Sequence, residues 1–303
     1  MDKVNQAVLD LLLDSIDWTP CGEIWLSADG WRAVYSQAMR QGVCGLVWSA
    51  AMKKGVGVPE DLAVQWENVV GVIRRDNERI NHIIGLQRAA WERESVNAVL
   101  LKGPESAKMY PDPGIRMGGD IDWWMVTDAD WTRALEYVRA KGIGFRTDSD
   151  GDVHYEFGGV MIEHHRGGLA CEGPLGELLL RCEHVLHHAM VFGVGLKQVC
   201  DYLAALKFYE GKYDESEYAA LLRSRGLARW EKALRGLNPA FVKIVFSDGN
   251  MGLDRKCRWR GLPGRLLFFL RICPVALCKR WCGLIIGRIK NHFITGSKKY
   301  SLN

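Results

Sequence analysis

Two aspartates separated by one residue, Asp120 and Asp122, sit inside the otherwise apolar run of residues 118–126 (GGDIDWWMV). On a strand alternate side chains share a face, so Asp120, Asp122 and Trp124 point one way and Ile121, Trp123 and Met125 the other. The two acids then lie about 6–7 Å apart along the backbone. Their charges repel, and burying both without a compensating cation costs enough to push one toward protonation. A divalent cation resolves the conflict, because hard oxygen ligands converging from one strand suit Mg²⁺, which completes its shell with water and substrate phosphate. A solvated strand end is the competing explanation of the same pair.

The flanking residues suit a phosphate chain. An apolar strand ends at Lys102-Gly103, a short helix over 105–109 follows, and Arg116 and the Gly118-Gly119 pair stand just before Asp120. Glycine lets phosphate approach backbone amides, and the helix after Gly103 offers N–H groups with no partner inside the helix. Lys102 supplies a point charge and Arg116 a bidentate one.

These residues carry a resemblance: the pattern KG…YPDPGIRMGGDID resembles the signature of a little-characterised bacterial nucleotidyltransferase family of the DNA polymerase β-like superfamily. The resemblance runs over most of the chain and implies an α+β fold, a minimal α/β sheet of about five short strands with helical regions before and after it. It implies catalytic acids at Asp120 and Asp122 and nucleotide contacts at Lys102, Gly103, Arg116 and Gly119. A third carboxylate belongs on a later strand. The stretch GGVMIEHHRG supplies Glu163 where such relatives carry Asp, with His165 two residues on, on the same face and among the nucleotide contacts. Glu for Asp is a departure that moves the carboxylate outward by one methylene. A basic residue and an Asp in a later helix match Lys197 and Asp201, for which an i, i+4 ion pair is the alternative. The implied chemistry is two-metal phosphoryl transfer, with two Mg²⁺ ions, or Mn²⁺ in their place, held by Asp120, Asp122 and Glu163. An NTP passes NMP to an unidentified hydroxyl acceptor and pyrophosphate leaves. Relatives often lie among genes for surface polysaccharide or peptide natural-product assembly, which points to acceptors of that kind.

Positioning these groups falls to the elements around them. Helical periodicity covers residues 1–16, a segment opening near Ser27 and Asp29, residues 43–52, and a long run from Pro59 to about Ser95, where Pro59, Glu60 and Asp61 make a sound helix opening. Short strands are expected at 97–102, 121–126, 143–148, 152–157 and 159–165, with tight turns at Asp150-Gly151 and Gly158-Gly159. Thr127 caps a helix that Gly142 ends. Helices return at 175–192, 196–210 and 214–225. The expected organisation is a helical region over 1–96, a nucleotidyltransferase core over 97–170, and a C-terminal helical region over 171–303 with a basic tail from 255.

Composition narrows the class further, since 48% hydrophobic and 25% charged residues in a chain of 303 exclude extensive disorder. Nine cysteines without a CxxC pair argue for free thiols rather than a zinc knuckle or redox site. The first sixteen residues place acids in an amphipathic pattern unlike a signal peptide, so a cytosolic location is expected. Residues 255–303 hold twelve Lys and Arg and no Asp or Glu, against 28 basic and 36 acidic residues in the rest. Within 262–290 the apolar runs are broken by Arg271, Lys279 and Arg280, short of the roughly 18 residues a span needs. Leu266, Phe268, Phe269, Trp281, Leu284 and Ile285 suit an anionic membrane surface or the protein's own acidic body, with nucleic acid a less favoured partner. His184 and His188 share a helix face, yet no HExxH order exists, and they read as polar groups near the pocket rather than zinc ligands. Trp124 is expected to pack rather than stack on a base. Two other functions compete: a non-catalytic assembly protein that keeps the fold and sits at a membrane, and a toxin-like enzyme that modifies tRNA.

Overall fold

The computed structural model describes residues 1–148, 151–168, 172–191, 193–248 and 262–274, which form twelve α-helices and one five-stranded sheet. The N-terminal helices are α1 (Lys3–Ser15), α2 (Ala28–Arg40), α3 (Cys44–Lys54) and α4 (Glu60–Arg93). Their ends follow side-chain chemistry. Asp2 accepts from the Asn5 amide at the start of α1, Ser27 accepts from the Gly30 amide at the start of α2, and Gly55 ends α3 at φ 62°.

Helix α4 holds the molecule together. Its 34 residues span about 50 Å. Leu62, Trp66, Val70 and Ile73 in its first half join a core shared with α1–α3 and the C-terminal helices. Ile80, Ile83, Ile84 and Trp91 in its second half join a separate core beneath the sheet. One rod thus fixes the sheet against the helices.

The strands are β1 (Ala98–Leu100), β2 (Ile121–Met125), β3 (Phe145–Thr147), β4 (Val153–Phe157) and β5 (Val160–His165), in the order β1-β2-β5-β4-β3. Only β2 and β5 pair in parallel; the other three pairings are antiparallel. Ile121, Trp123, Met125, Tyr155 and Ile162 face the core, as strict alternation requires. The Trp123 indole donates to Gln87 Oε1 at 2.7 Å, and Gln87 Nε2 donates to Tyr155 Oη at 3.0 Å, so the polar atoms of that face are satisfied. Strand β1 is shorter than expected, although its ladder continues through Leu101 N to Asp122 O at 3.0 Å and Val126 N to Asn97 O at 3.1 Å. Gly158 and Gly159 connect β4 to β5 with φ of 59° and 75°, the left-handed pair that a two-residue turn needs. Between β1 and β2 lie α5 (Pro104–Ala107) and a 3₁₀ turn (Pro113–Ile115). Between β2 and β3 runs α6 (Asp128–Ala140), opened by a Thr127–Asp130 capping box; Asp130 Oδ1 also accepts from the Asn97 amide at 2.9 Å.

The C-terminal helices are α7 (Gly173–Met190), α8 (Leu196–Phe208), α9 (Glu215–Ser224), α10 (Ala228–Arg235), α11 (Pro239–Asp248) and α12 (Leu262–Ile272). Of the two destinations expected for the tail, the protein's own body takes the described part. Phe268 and Phe269 are core residues, their rings 6.2 Å from Phe241 and 6.1 Å from Trp230, because the helical core leaves an apolar slot that they fill. Arg265 of the same helix pairs with buried Asp248, so this part of the tail docks on the protein itself. Leu267 and Leu270 are exposed; Trp281, Leu284 and Ile285 lie outside the described residues. No helix among the described residues is long and apolar enough to cross a membrane. Cys44, Cys182, Cys200 and Cys273 are buried free thiols.

Candidate active site

The parallel pairing of β2 with β5 builds the site. It sets Asp122 beside Glu163 and Trp124 beside His165 in register, on the face opposite the core. Parallel neighbours run about 4.8 Å apart, which brings side chains from the two strands into direct contact. Asp122, with 5% of its surface exposed, receives two donors on one oxygen: Lys102 Nζ at 3.0 Å and His165 Nε2 at 2.9 Å from Oδ1. His165 Nδ1 donates to Asp152 Oδ2 at 2.7 Å, and its Nε2 lies 3.5 Å from Glu163 Oε2. The other Glu163 oxygen, Oε1, lies 3.0 Å from His154 Nδ1, whose ring reaches Asp148 Oδ2 through Nε2 at 3.1 Å.

Two imidazoles therefore stand between an inner pair of acids and an outer pair. Asp152, His154, Asp148 and Tyr110 had escaped the sequence reading. The signal for the first two was the alternation in DVHYEF, which puts Asp152, His154 and Glu156 on one face of β4, with His154 opposite Glu163.

Electrostatics across the cluster are unbalanced. Burial, and then the Asp122 charge, push the Glu163 carboxyl up. The same two influences raise Asp120, which keeps a solvent-exposed edge just before β2 begins. Burial also works against ionised Asp122, yet the Lys102 charge and the His165 bond outweigh it and hold that carboxyl below the usual range. His165 is pushed up to about 9, because its bonds to Asp122 and Asp152 overcome the burial that opposes its charge. Among the described residues one donor atom each from Asp122, Glu163 and His165 lie within 4.8 Å of one another, the one such cluster of three metal-ligating side chains. Asp120, expected as a ligand, stands outside that triad.

The glycines and cations at the mouth divide into two groups. Gly103 sits at φ 66°, ψ −110°, and a Cβ there would come 2.8 Å from the Asp120 carbonyl oxygen, so only glycine lets the strand ends approach this closely. Lys197 Nζ donates to Gly118 O at 2.8 Å and lies against Gly119, where a Cβ would stand 3.1 Å from it. Burial and the nearby Arg116 charge bring Lys197 down to about 8.

Arg116 and Asp201 depart from expectation. They form a bidentate pair, Nε–Oδ1 2.7 Å and Nη2–Oδ2 2.6 Å, and Tyr110 Oη donates to Asp201 Oδ1 at 2.7 Å. Arg116 is buried at 4% exposure, and its guanidinium fastens the loop before β2 to α8. Burying it elsewhere without an acid would leave an uncompensated charge, and Asp201 is the acid the fold provides. The i, i+4 pairing of Lys197 with Asp201 is replaced by this longer-range one.

On α7, His184 Nε2 and His188 Nε2 lie 3.0 Å apart, and His188 Nδ1 lies 3.2 Å from Gly193 O. Burial holds His188 at about 4 and pushes His184 well below the usual histidine range, so both are neutral, each with a ring nitrogen against the other. Trp124 has its ring against Gly168, where a Cβ would meet it at 2.0 Å, so packing occupies that indole face.

The site is thus a mixed five-stranded sheet with acids on adjoining parallel strands, a glycine turn and two lysines beside them. Residues 27–172, from α2 through the sheet, match the model of a family described as uncharacterised nucleotidyltransferases. No curated protein and no solved structure matches the chain. The family supports nucleotidyl transfer as the general activity.

Proposed function

We propose that the protein is a metal-dependent nucleotidyltransferase that moves NMP from an NTP to a hydroxyl acceptor, most simply a small sugar, lipid-linked or peptide metabolite. The observation that carries this reading is the register match of Asp122 with Glu163 in a segment of nucleotidyltransferase family. The donor set suits a divalent ion: two carboxylates and an imidazole converge within 4.8 Å, and the Asp120 and Glu163 carboxyls are raised by burial and by Asp122, which is a local deficit of positive charge.

Asp122 and Glu163 would hold the ion at the sheet, with Asp120 completing the acid set from the rim. Bound there, Mg²⁺ or Mn²⁺ neutralises phosphate charge and lowers the pKa of a coordinated hydroxyl. The chain's own groups do the rest. Lys102 and Lys197 offer ammonium charge to the phosphates, and the backbone at Gly103 and Gly118-Gly119 admits them closely. The acceptor oxygen bonds to the α-phosphorus, the bond to the bridging oxygen breaks, and pyrophosphate leaves with that electron pair while the hydroxyl proton passes to water at the open mouth. His154 and His165 orient the acids.

The test is incubation of the purified chain with each of the four NTPs, Mg²⁺ or Mn²⁺ and cell extract, following pyrophosphate and label transfer together. Release that disappears in Asp120→Asn and Asp122→Asn supports the reading. Release that survives both, or no binding of any NTP, removes it and favours a non-catalytic role.

A further inference from the structure

His165 holds a position that acid positioning alone does not require. Its Nε2 lies 2.9 Å from Asp122 Oδ1 and 3.5 Å from Glu163 Oε2. Donor atoms bound to one ion at about 2.1 Å stand about 3.0 Å apart at a right angle and about 3.4 Å apart at the tetrahedral angle. Both spacings from Nε2 are those of neighbouring donors in one coordination shell, and one donor atom each from Asp122, Glu163 and His165 lie within 4.8 Å of one another. The far side of the ring completes the pattern: Nδ1 donates to Asp152 Oδ2 at 2.7 Å, the carboxylate–imidazole arrangement that fixes the tautomer and tilt of metal-bound histidines. Asp152 is held there by the fold, because it directly precedes β4 and Val153 pairs with His164. Glu163 is prepared in the same sense, since His154 occupies Oε1 and leaves Oε2 turned toward His165.

We propose that His165 is a direct nitrogen ligand of the divalent ion, oriented for that role by Asp152, so that the site selects a first-row transition ion over Mg²⁺. The proposal rests on the metal-dependent reading above. Mg²⁺ prefers an all-oxygen shell, whereas an imidazole in the donor set favours transition ions. With the ion bound, Nε2 would be the ligating nitrogen, its proton released to solvent water, and Nδ1–H would keep its bond to Asp152. Lys102 shares Asp122 Oδ1 and would yield it, swinging its flexible stem toward substrate phosphate.

Pulsed electron paramagnetic resonance of the full chain loaded with Mn²⁺ tests this directly. The expected result is ¹⁴N modulation from a bound imidazole, replaced by the ¹⁵N pattern when the chain is made with ¹⁵N-histidine, and absent in His165→Ala. Asp152→Asn should keep the modulation and weaken Mn²⁺ binding roughly 10–100-fold. Competition should show Mn²⁺ displaced only by excess Mg²⁺. The ¹⁵N substitution needs no variant, so a His165→Ala chain that failed to fold would not blunt the test. Mn²⁺ bound without nitrogen modulation, or modulation that persists in a folded His165→Ala chain, overturns the assignment. If NTP-dependent pyrophosphate release then proceeds with Mg²⁺, the transferase reading stands without it; if neither ion binds and no NTP turns over, both fall.

Discussion

Two charged clusters lie on either side of Gly118-Gly119, and they are built in opposite ways. Arg116, Asp201 and Tyr110 are closed: a bidentate pair and a phenol hydrogen bond leave both carboxylate oxygens engaged, and the buried charges match one to one. The cluster on β2, β4 and β5 is open: Asp120, Asp122, Glu163, Asp148 and Asp152 outnumber Lys102, Lys197 and two imidazoles, and burial and then the Asp122 charge raise Asp120 and Glu163. A closed cluster fastens elements together. An open one keeps negative charge in reserve for a cation that the polypeptide does not supply.

The sharpest way to break this contrast is to neutralise one member of each. Asp122→Asn should lower nucleotidyl transfer by a factor of about 10³ or more, since charge neutralisation and alignment dominate such a barrier. It should cost less folding stability than opening the closed cluster, because His165 keeps Asp152 and Glu163 beside it when the Asp122 charge goes; pyrophosphate release and a thermal melt on the same sample read both. Arg116→Met should do the reverse, destabilising the chain by about 3–5 kcal/mol in urea unfolding, as it strands buried Asp201. Adding Asp201→Leu should recover most of that loss, and a double variant as unstable as the single one would show that the cluster is not a matched pair.

A pH series sharpens the open side. In protein stripped of metal, His165 is raised from 6.5 to about 9, so its contribution is fully present below pH 6.5 and fades as pH rises toward 9. The wild type should lose up to roughly 3 kcal/mol across that window relative to His165→Gln. Taking the difference between the two chains cancels the opposing titration of Lys197, which is lowered to about 8. Parallel pH profiles for both chains would remove His165 from the cluster's electrostatics. The smallest effect is expected at the boundary between the clusters: Gly103→Ala forces a side chain into φ 66° and toward the Asp120 carbonyl, at about 1–3 kcal/mol by chemical denaturation.

Local signals were legible without coordinates. The alternation of Asp120 and Asp122 with Ile121 and Trp123 is a property of four adjacent residues, and the strand honours it. The Thr127 cap and the Gly158-Gly159 turn likewise depend on side chains and φ values within a few positions. Arg116 shows where this stops. Its neighbours marked it as a phosphate contact, yet its partner is Asp201, 85 residues away, and charge type alone does not say whether an internal acid will claim it. Phe268 and Phe269 leave two readings open in the same way, since an apolar ring beside arginines suits a lipid surface or a core slot equally until Trp230 and Phe241 are in place.

By itself the sequence determined the elements, the face that carries the acids and the chemistry those acids are suited to, because strand alternation and capping act over a few residues. The tertiary structure decided which acids meet. Parallel pairing of β2 with β5 brings Glu163 and His165 to Asp122, and β4 adds His154 and Asp152. Those contacts follow from strand order and register, which are fixed by burying Trp123, Tyr155 and Ile162 against α4, and the hydrophobic core that sets them is distributed over the whole chain.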